Sequence, residues 1–178
     1  MCSDKLRRLN QGRLYFLLNL VEESSDPNIF FVKKNSNNSF RSFYNNEIIN
    51  LDEHVMNGLM KMMDNLAKPL TERVQAKPGF YICDIITGEC ICWEYVWNGS
   101  IRDKCRHCHA AKLYKNAREK GFMEIISEAK EQLVTYFRNK ERILPANLKN
   151  YVIYQGTIEN AFKEIVRLYK IHGKVLLY

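Results

Sequence analysis

The sequence predicts an α+β fold that is mostly helical, and three observations support this prediction. Apolar residues recur at helical spacing over five segments, and short runs of strand-forming residues separate them. Five of the six cysteines lie between positions 83 and 108, and two of the four histidines lie at positions 107 and 109. Hydrophobic residues make up 46% of the 178 residues, which is enough for a core. We therefore expect a zinc-clipped β-hairpin followed by a helix, a second small hairpin, and flanking helices.

The first part of the chain predicts one helix and the second small hairpin. Leucines at helical spacing predict a helix over residues 4–24, in which Gly12 weakens the middle and a Ser-Ser-Asp-Pro run provides the stop. Residues 28–33 and 39–44 are rich in strand formers, and the polar stretch 35–38 between them predicts a turn. Their aromatic side chains suit a hairpin core better than nucleobase stacking.

Four further helices follow from the same apolar spacing. The first begins near Asp52 and ends near Val74, with Pro69 expected to bend or split it. Several methionines on it suit core filling better than an adaptable binding surface. The other three helices are expected at 106–119, 123–139 and 157–172, and Gly173 is expected to end the last of them. Two apolar strands are expected at 150–154 and 174–178. These elements divide into three regions: 1–76, 77–120 and 121–178.

A metal-ligand pattern lies in the central region. Cys90 and Cys92 form one close pair, and twelve residues later Cys105 and His107 form another. Zinc prefers four tetrahedral donors drawn from thiolate sulfur and imidazole nitrogen, which this set provides. Residues two apart leave the same face of a strand. The helical pattern that follows places Cys105 just before a helix and His107 in its first turn.

The strand carrying the first pair is expected to form a hairpin. Residues 80–86 and 89–96 are strand-like, and Thr87-Gly88 between them is typical of a turn. A two-residue turn would place Cys83 opposite Cys92. Three further residues therefore compete for the four ligand positions, and the spacing leaves the choice open: Cys83, Cys108 and His109. Buried reduced thiols, or a disulfide if the protein is exported, are the alternatives to a metal.

The pattern Cys-x-Cys, a spacer, Cys-x-His and two alanines resembles the SWIM zinc finger. Supporting features are the strand before the first pair, Gly99, Arg106 and Ala110-Ala111. The resemblance covers roughly residues 78–115, and Cys108 departs from it, since the family usually has an aliphatic residue there. The resemblance implies that Zn²⁺ is held by the family's ligand positions, which fall on Cys90, Cys92, Cys105 and His107. It also implies kinship with Mutator-like and far-red-impaired-response proteins derived from transposases, and DNA as a partner.

Positive charge is concentrated just after this motif. The chain has a net charge of +7, and residues 102–120 contain seven basic residues against two acidic ones. Lys112, Lys115 and Arg118 are three apart and form a slowly rotating stripe on the helix, which suits phosphate contacts. With Arg106 they are the expected nucleic-acid-binding residues. A solvated helix face, or drift in an Asn- and Lys-rich sequence, is the alternative.

These observations predict a non-catalytic zinc module that binds DNA inside the cell, in the nucleus. A protein-interaction adaptor using the finger and the Met-rich helix 53–74 is the alternative, and a zinc hydrolase is a weaker third. We see no phosphate-cradling glycine loop or supported pair of carboxylates, and we expect no small-molecule substrate. No run of apolar residues is long enough to form a membrane-spanning helix. About 75 residues precede the finger, too few for a transposase cutting domain, and the sequence leaves open whether the chain belongs to a longer protein.

Overall fold

The computed structural model describes residues 2–34, 53–92, 95–96, 105–141 and 156–172. Within them the fold is α+β and mostly helical, as predicted. Five helices and three strands follow in the order α1 (Cys2–Leu17), β1 (Val21–Glu23), β2 (Ile29–Lys33), α2 (Glu53–Arg73), β3 (Phe80–Asp84), α3 (Arg106–Lys120), α4 (Phe122–Glu141) and α5 (Ile158–His172).

The three strands form one antiparallel sheet in the order β1-β2-β3. In β2, which is the middle strand, the first four residues are all buried. Alternate side chains of a strand point to opposite faces, so both faces of β2 are covered. Phe30 of β2 pairs with Cys83 of β3, so the strand that carries Cys83 lies next to the central strand of the sheet.

The helix predicted over 4–24 is wrong in its second part, because α1 ends at Leu17. Asn19 adopts a left-handed conformation with φ of 56°, and the amide of Leu20 donates to the carbonyl of Tyr15 at 3.1 Å. Asparagine tolerates this conformation, which is a common helix ending. The chain then reverses, and Val21 pairs with Val32 in the sheet. Pairing with a buried strand therefore overrides the leucine-rich helical pattern.

Helix α2 confirms the prediction for 52–74, and it continues through Pro69 without being split. Its last turns supply Leu70, which joins Val74 and the sheet in a buried apolar cluster that also contains Ile29, Phe31 and Ile82. Earlier in the helix, Met60 and Met62 remain 57% and 44% exposed. Met60 therefore does not fill the core that its spacing predicted, and Met62 is also exposed.

The predicted hairpin after residue 80 is only partly formed. Strand β3 ends at Asp84, and the second strand expected over 89–96 is reduced, in the described residues, to one bridge between Cys83 and Cys90. Tyr95 and Val96 are helical instead. The amide of Asp84 donates to the carbonyl of Glu89 at 2.9 Å, so four residues form the turn rather than two. The predicted pairing of Cys83 with Cys92 is therefore wrong.

A buried carboxylate holds this turn. Asp84 is 1% exposed, and its Oδ1 accepts hydrogen bonds from the amides of Ile86 at 2.8 Å and Thr87 at 3.1 Å. Its other oxygen accepts from the guanidinium of Arg73, which also pairs with Asp26. A side chain that accepts from amides two and three residues ahead favours a turn over a continued strand. This explains why β3 ends at Asp84, before the candidate ligands Cys90 and Cys92.

The chain divides into two compact units, residues 1–114 and 115–178, with the boundary inside α3. In the second unit, α4 and α5 confirm the predicted helices 123–139 and 157–172, and Thr157 caps α5 by accepting from the amide of Asn160 at 3.2 Å. The second hairpin's strand 39–44, the strands 150–154 and 174–178, and the stop at Gly173 lie outside the described residues. The three-region division stays a prediction.

Candidate metal centre

Cys105 and His107, the second candidate ligand pair, lie at the start of α3, as the sequence predicted. Cys105 directly precedes the helix, and its carbonyl accepts a hydrogen bond from the amide of His109 at 3.2 Å, which makes Cys105 the capping residue. His107 lies in the first turn. On the other side, the bridge to Cys83 holds Cys90 against the sheet, and Cys92 follows two residues later.

These elements bring four donor atoms together in the interior. Cys90, Cys92, Cys105 and His107 are all buried, and their donor atoms lie within 4.8 Å of one another. Cys105 Sγ lies 3.3 Å from Cys92 Sγ and 3.3 Å from His107 Nδ1, while Cys90 Sγ lies 3.9 Å from that nitrogen. A zinc–sulfur bond of about 2.3 Å separates the corners of a tetrahedron by roughly 3.8 Å. The measured separations lie close to this length, so the four residues could hold one metal ion.

Aromatic rings and one backbone amide surround the donors. The ring of His107 lies edge-on to Tyr15 of α1, with centroids 5.3 Å apart, and 4.7 Å from the ring of Tyr81 on β3. The amide of Tyr95 donates to Cys92 Sγ at 3.3 Å. Burial and the nearby thiolates raise the pKa of Tyr81, so its hydroxyl stays protonated. These contacts orient the donors and exclude water from them.

The protonation states of the buried donors are coupled to one another. Burial opposes ionisation of Cys105, but its pKa is lowered by hydrogen bonds with neighbouring cysteines and by the charge of His107. Burial likewise opposes charging of His107, whose pKa is nevertheless raised by the charge of Cys105. Burial and its sulfur neighbours raise the pKa of Cys90. Close-packed thiols cannot all ionise together unless a positive charge compensates them, and a bound metal ion supplies that charge.

Two more thiols lie beside the four donors. Cys83 Sγ is 3.3 Å from Cys90 Sγ, and Cys83, Cys90 and Cys108 form a second group whose sulfurs lie within 4.8 Å of one another. Cys108 Sγ also lies 3.5 Å from the carbonyl oxygens of Gly88 and Glu89. His109, the third competitor considered from the sequence, belongs to neither group.

Gly12 has a role that the sequence did not reveal. A Cβ atom at this position would lie 2.6 Å from the Cβ of His109 and 2.9 Å from the carbonyl oxygen of Arg106. Helix α1 therefore approaches the first turn of α3 so closely that only glycine fits. A glycine in a helical pattern signals either weakness or close packing, and only the three-dimensional contact distinguishes the two.

The four predicted nucleic-acid-binding residues all lie on α3. Arg106, Lys112 and Lys115 are partly exposed, and Arg118 is exposed. Lys115 Nζ lies 3.9 Å from the carboxylate of Glu119, the one acidic residue of the helix. Five basic residues against this single acid give α3 a net charge of +4. Contact with nucleic acid stays a prediction.

No protein-family model, curated protein or solved structure matched this chain in the comparisons. The argument for a metal centre therefore rests on the donors and their geometry. Among the described residues, no helix combines the length and the hydropathy that crossing a bilayer requires.

Proposed function

We propose that this protein is a zinc-binding module of the SWIM type, in which Zn²⁺ has a structural and non-catalytic role and α3 binds DNA. The observation that carries the proposal is the buried set of Cys90, Cys92, Cys105 and His107, whose donor atoms lie within 4.8 Å of one another. Three thiolates and one imidazole fill a tetrahedral zinc site completely and leave no position for a reacting water. The SWIM resemblance extends the proposal to a transposase-derived protein acting in the nucleus.

The first experiment measures metal. Protein purified without chelator should contain stoichiometric zinc by mass spectrometry, and X-ray absorption at the zinc edge should show about three sulfur donors per ion. Cys105→Ser should lose this zinc, whereas Cys2→Ser, far from the motif in the sequence, should keep it. Protein that never contains zinc, even after refolding with it, would contradict the proposal.

The basic helix supplies the second part of the proposal. Lys112, Lys115 and Arg118 lie on the helix that begins at the metal centre, so an ordered start of α3 also positions these side chains. Contacts of lysine and arginine with phosphates release counterions and make binding strongly dependent on salt. We expect the protein to bind duplex DNA at low salt. The slope of the logarithm of the binding constant against the logarithm of the salt concentration should decrease in magnitude by roughly three when all three residues become glutamate.

A control variant separates location from net charge. Changing the exposed Lys61, Lys68 and Lys170 to glutamate alters the net charge equally but leaves α3 intact. Fluorescence anisotropy with a labelled duplex should show at least a tenfold loss of affinity for the α3 variant and a smaller loss for the control. Equal losses in both variants would refute α3 as the DNA-binding element, and no binding by the unmodified protein would refute the DNA function altogether.

A protein-interaction adaptor remains the second candidate, and the exposure of Met60 and Met62 on α2 favours it. Flexible thioether side chains suit adaptable docking surfaces. In that case the protein would ignore DNA at all salt concentrations and bind a partner with micromolar or better affinity. Met60→Glu with Met62→Glu should then abolish partner binding without loss of zinc.

A further inference from the structure

The cluster contains more metal donors than one tetrahedral ion can bind. Five thiols and one imidazole come together, whereas a structural zinc takes four ligands. The two surplus thiols belong to Cys83 on β3 and Cys108 on α3. Both are fully buried, at 0% and 1% exposure, so they are not simply surface cysteines.

The surplus thiols share a neighbour with the first group. Cys83, Cys90 and Cys108 each offer a sulfur within 4.8 Å of the other two, and Cys90 also belongs to the four-donor group. Cys83 Sγ and Cys90 Sγ are 3.3 Å apart, a separation like that between Cys92 and Cys105 in the first group. Thiolate sulfur has several lone pairs and can bind two metal ions at once. The placement of Cys90 between the groups suits this bridging role.

We propose that the protein binds a second thiophilic divalent ion through Cys83, Cys90 and Cys108, with Cys90 bridging the two ions. The inference rests on the proposed zinc function of the first group. Cys83 and Cys108 bind the second ion as thiolates, so each releases any thiol proton that it still carries. The carbonyl oxygens of Gly88 and Glu89, which lie 3.5 Å from Cys108 Sγ, or a water supply the remaining donor.

Charge balance supports a second ion. One divalent ion with three thiolates and a neutral imidazole leaves a buried net charge of −1. A second divalent ion with two more thiolates adds no net charge, so the interior holds five ionised sulfurs without a larger buried charge. Soft thiolate donors select zinc, cadmium or copper(I) rather than magnesium or calcium. Divalent zinc and cadmium are the ions that preserve the balance.

The experiment uses the full chain with Cys2→Ser, so that every remaining thiol belongs to the cluster. The protein is loaded with zinc, freed of excess metal and analysed by mass spectrometry, and a parallel sample is loaded with cadmium-113. We expect two ions per chain and two cadmium resonances that show scalar coupling to each other through the shared sulfur. Cys83→Ser with Cys108→Ser should bind one ion and show one resonance.

Each outcome gives a decision. One ion per chain in the Cys2→Ser protein would overturn the second site and leave the zinc function standing, with Cys83 and Cys108 as thiols that hydrogen-bond the ligands. Two ions without coupling would overturn the Cys90 bridge. No bound ion would remove the proposed zinc function as well. Because the decisive measurement uses the intact cluster, failure of the double variant to fold would not rescue or sink the inference.

Discussion

Gly12→Ala offers a direct test of the packing around the metal centre. The added Cβ would lie 2.6 Å from the Cβ of His109, whereas carbon atoms in contact prefer about 3.5–4.0 Å. The other close atom, at 2.9 Å, is the backbone carbonyl oxygen of Arg106, which cannot rotate away. The two helices must therefore separate by about 1 Å, because neither neighbour is the flexible end of a side chain.

The expected magnitude combines two opposing effects. Alanine favours a helix over glycine by about 1 kcal/mol, whereas overpacking typically costs about 1–3 kcal/mol. Separation of α1 from α3 also weakens the edge-on contact between Tyr15 and His107, worth about 0.5–1.5 kcal/mol. We expect Gly12→Ala to destabilise the protein by about 1–2 kcal/mol, and to weaken zinc retention because His107 loses its packing partner.

Gly58→Ala is the matched control. Gly58 lies in the exposed part of α2, and among the described residues no atom lies within 4 Å of the Cβ it would gain. The same substitution should therefore stabilise the protein by about 0.5–1 kcal/mol. Urea unfolding monitored by circular dichroism measures the stability of both variants. We expect the slopes to be unchanged and the two midpoints to shift in opposite directions. If Gly12→Ala proved as stable as Gly58→Ala, the close approach of α1 to α3 would be refuted.

Four further predictions follow from the same contacts. Asp84→Ala removes the acceptor that holds the turn after β3 and should lower the free energy of unfolding by about 2–3 kcal/mol in urea titrations; an unchanged midpoint would contradict that role. The amide of Asn28 and the guanidinium of Arg73 lower the pKa of Asp26. The contribution of ionised Asp26 to the free energy of unfolding is therefore complete above the ordinary pKa of 3.8 and is lost as the pH falls through the lowered pKa. Acid titration should show a shallower loss for Asp26→Asn, and identical curves would count against the ion pair. Thr157→Ala should cost about 1 kcal/mol through loss of the α5 cap, measured by thermal unfolding against Thr157→Ser, which keeps the hydroxyl. Chelation should strongly reduce the near-UV dichroism of tyrosines such as Tyr15 and Tyr81, which pack on His107, because structural zinc contributes about 10–16 kcal/mol in small fingers, comparable with a whole domain's stability of about 5–15 kcal/mol; an unchanged spectrum would show that the metal is dispensable.

Local geometry explains why much of the candidate site could be predicted from the sequence. The positions of Cys105 and His107 depend only on where a helix begins, and the helical pattern that includes Ala110 and Ala111 indicates that point. Helices α4 and α5 were predictable for the same reason, since their apolar residues recur at regular helical spacing and most of these residues are buried. Such features are settled by residues a few positions apart.

Contacts between distant segments explain the errors. Val21 and its neighbours continue a helical pattern, yet they form a strand because a buried partner in β2 is available. The residue that lies opposite Cys83 depends on whether the turn after β3 has two residues or four. The hydrogen bonds from the amides of Ile86 and Thr87 to Asp84 favour the four-residue turn, and the alternation of strand-forming residues does not predict them. The role of Gly12 likewise depends on a helix nearly a hundred positions away. Propensity cannot register neighbours that are brought in by tertiary packing.

On the proposed zinc binding, the position of Cys105 at the N-terminal end of α3 would couple metal binding to helix nucleation. Aligned peptide dipoles give a helix N-terminus a partial positive charge, and the thiolate of Cys105 is held at that end of α3. The helix field favours the anionic ligand, and a cluster with net negative charge in turn stabilises the first turn, which is the unfavourable step of helix formation. Zinc uptake and the growth of α3 should therefore be one cooperative event, visible as a simultaneous rise in helicity when apoprotein receives the ion.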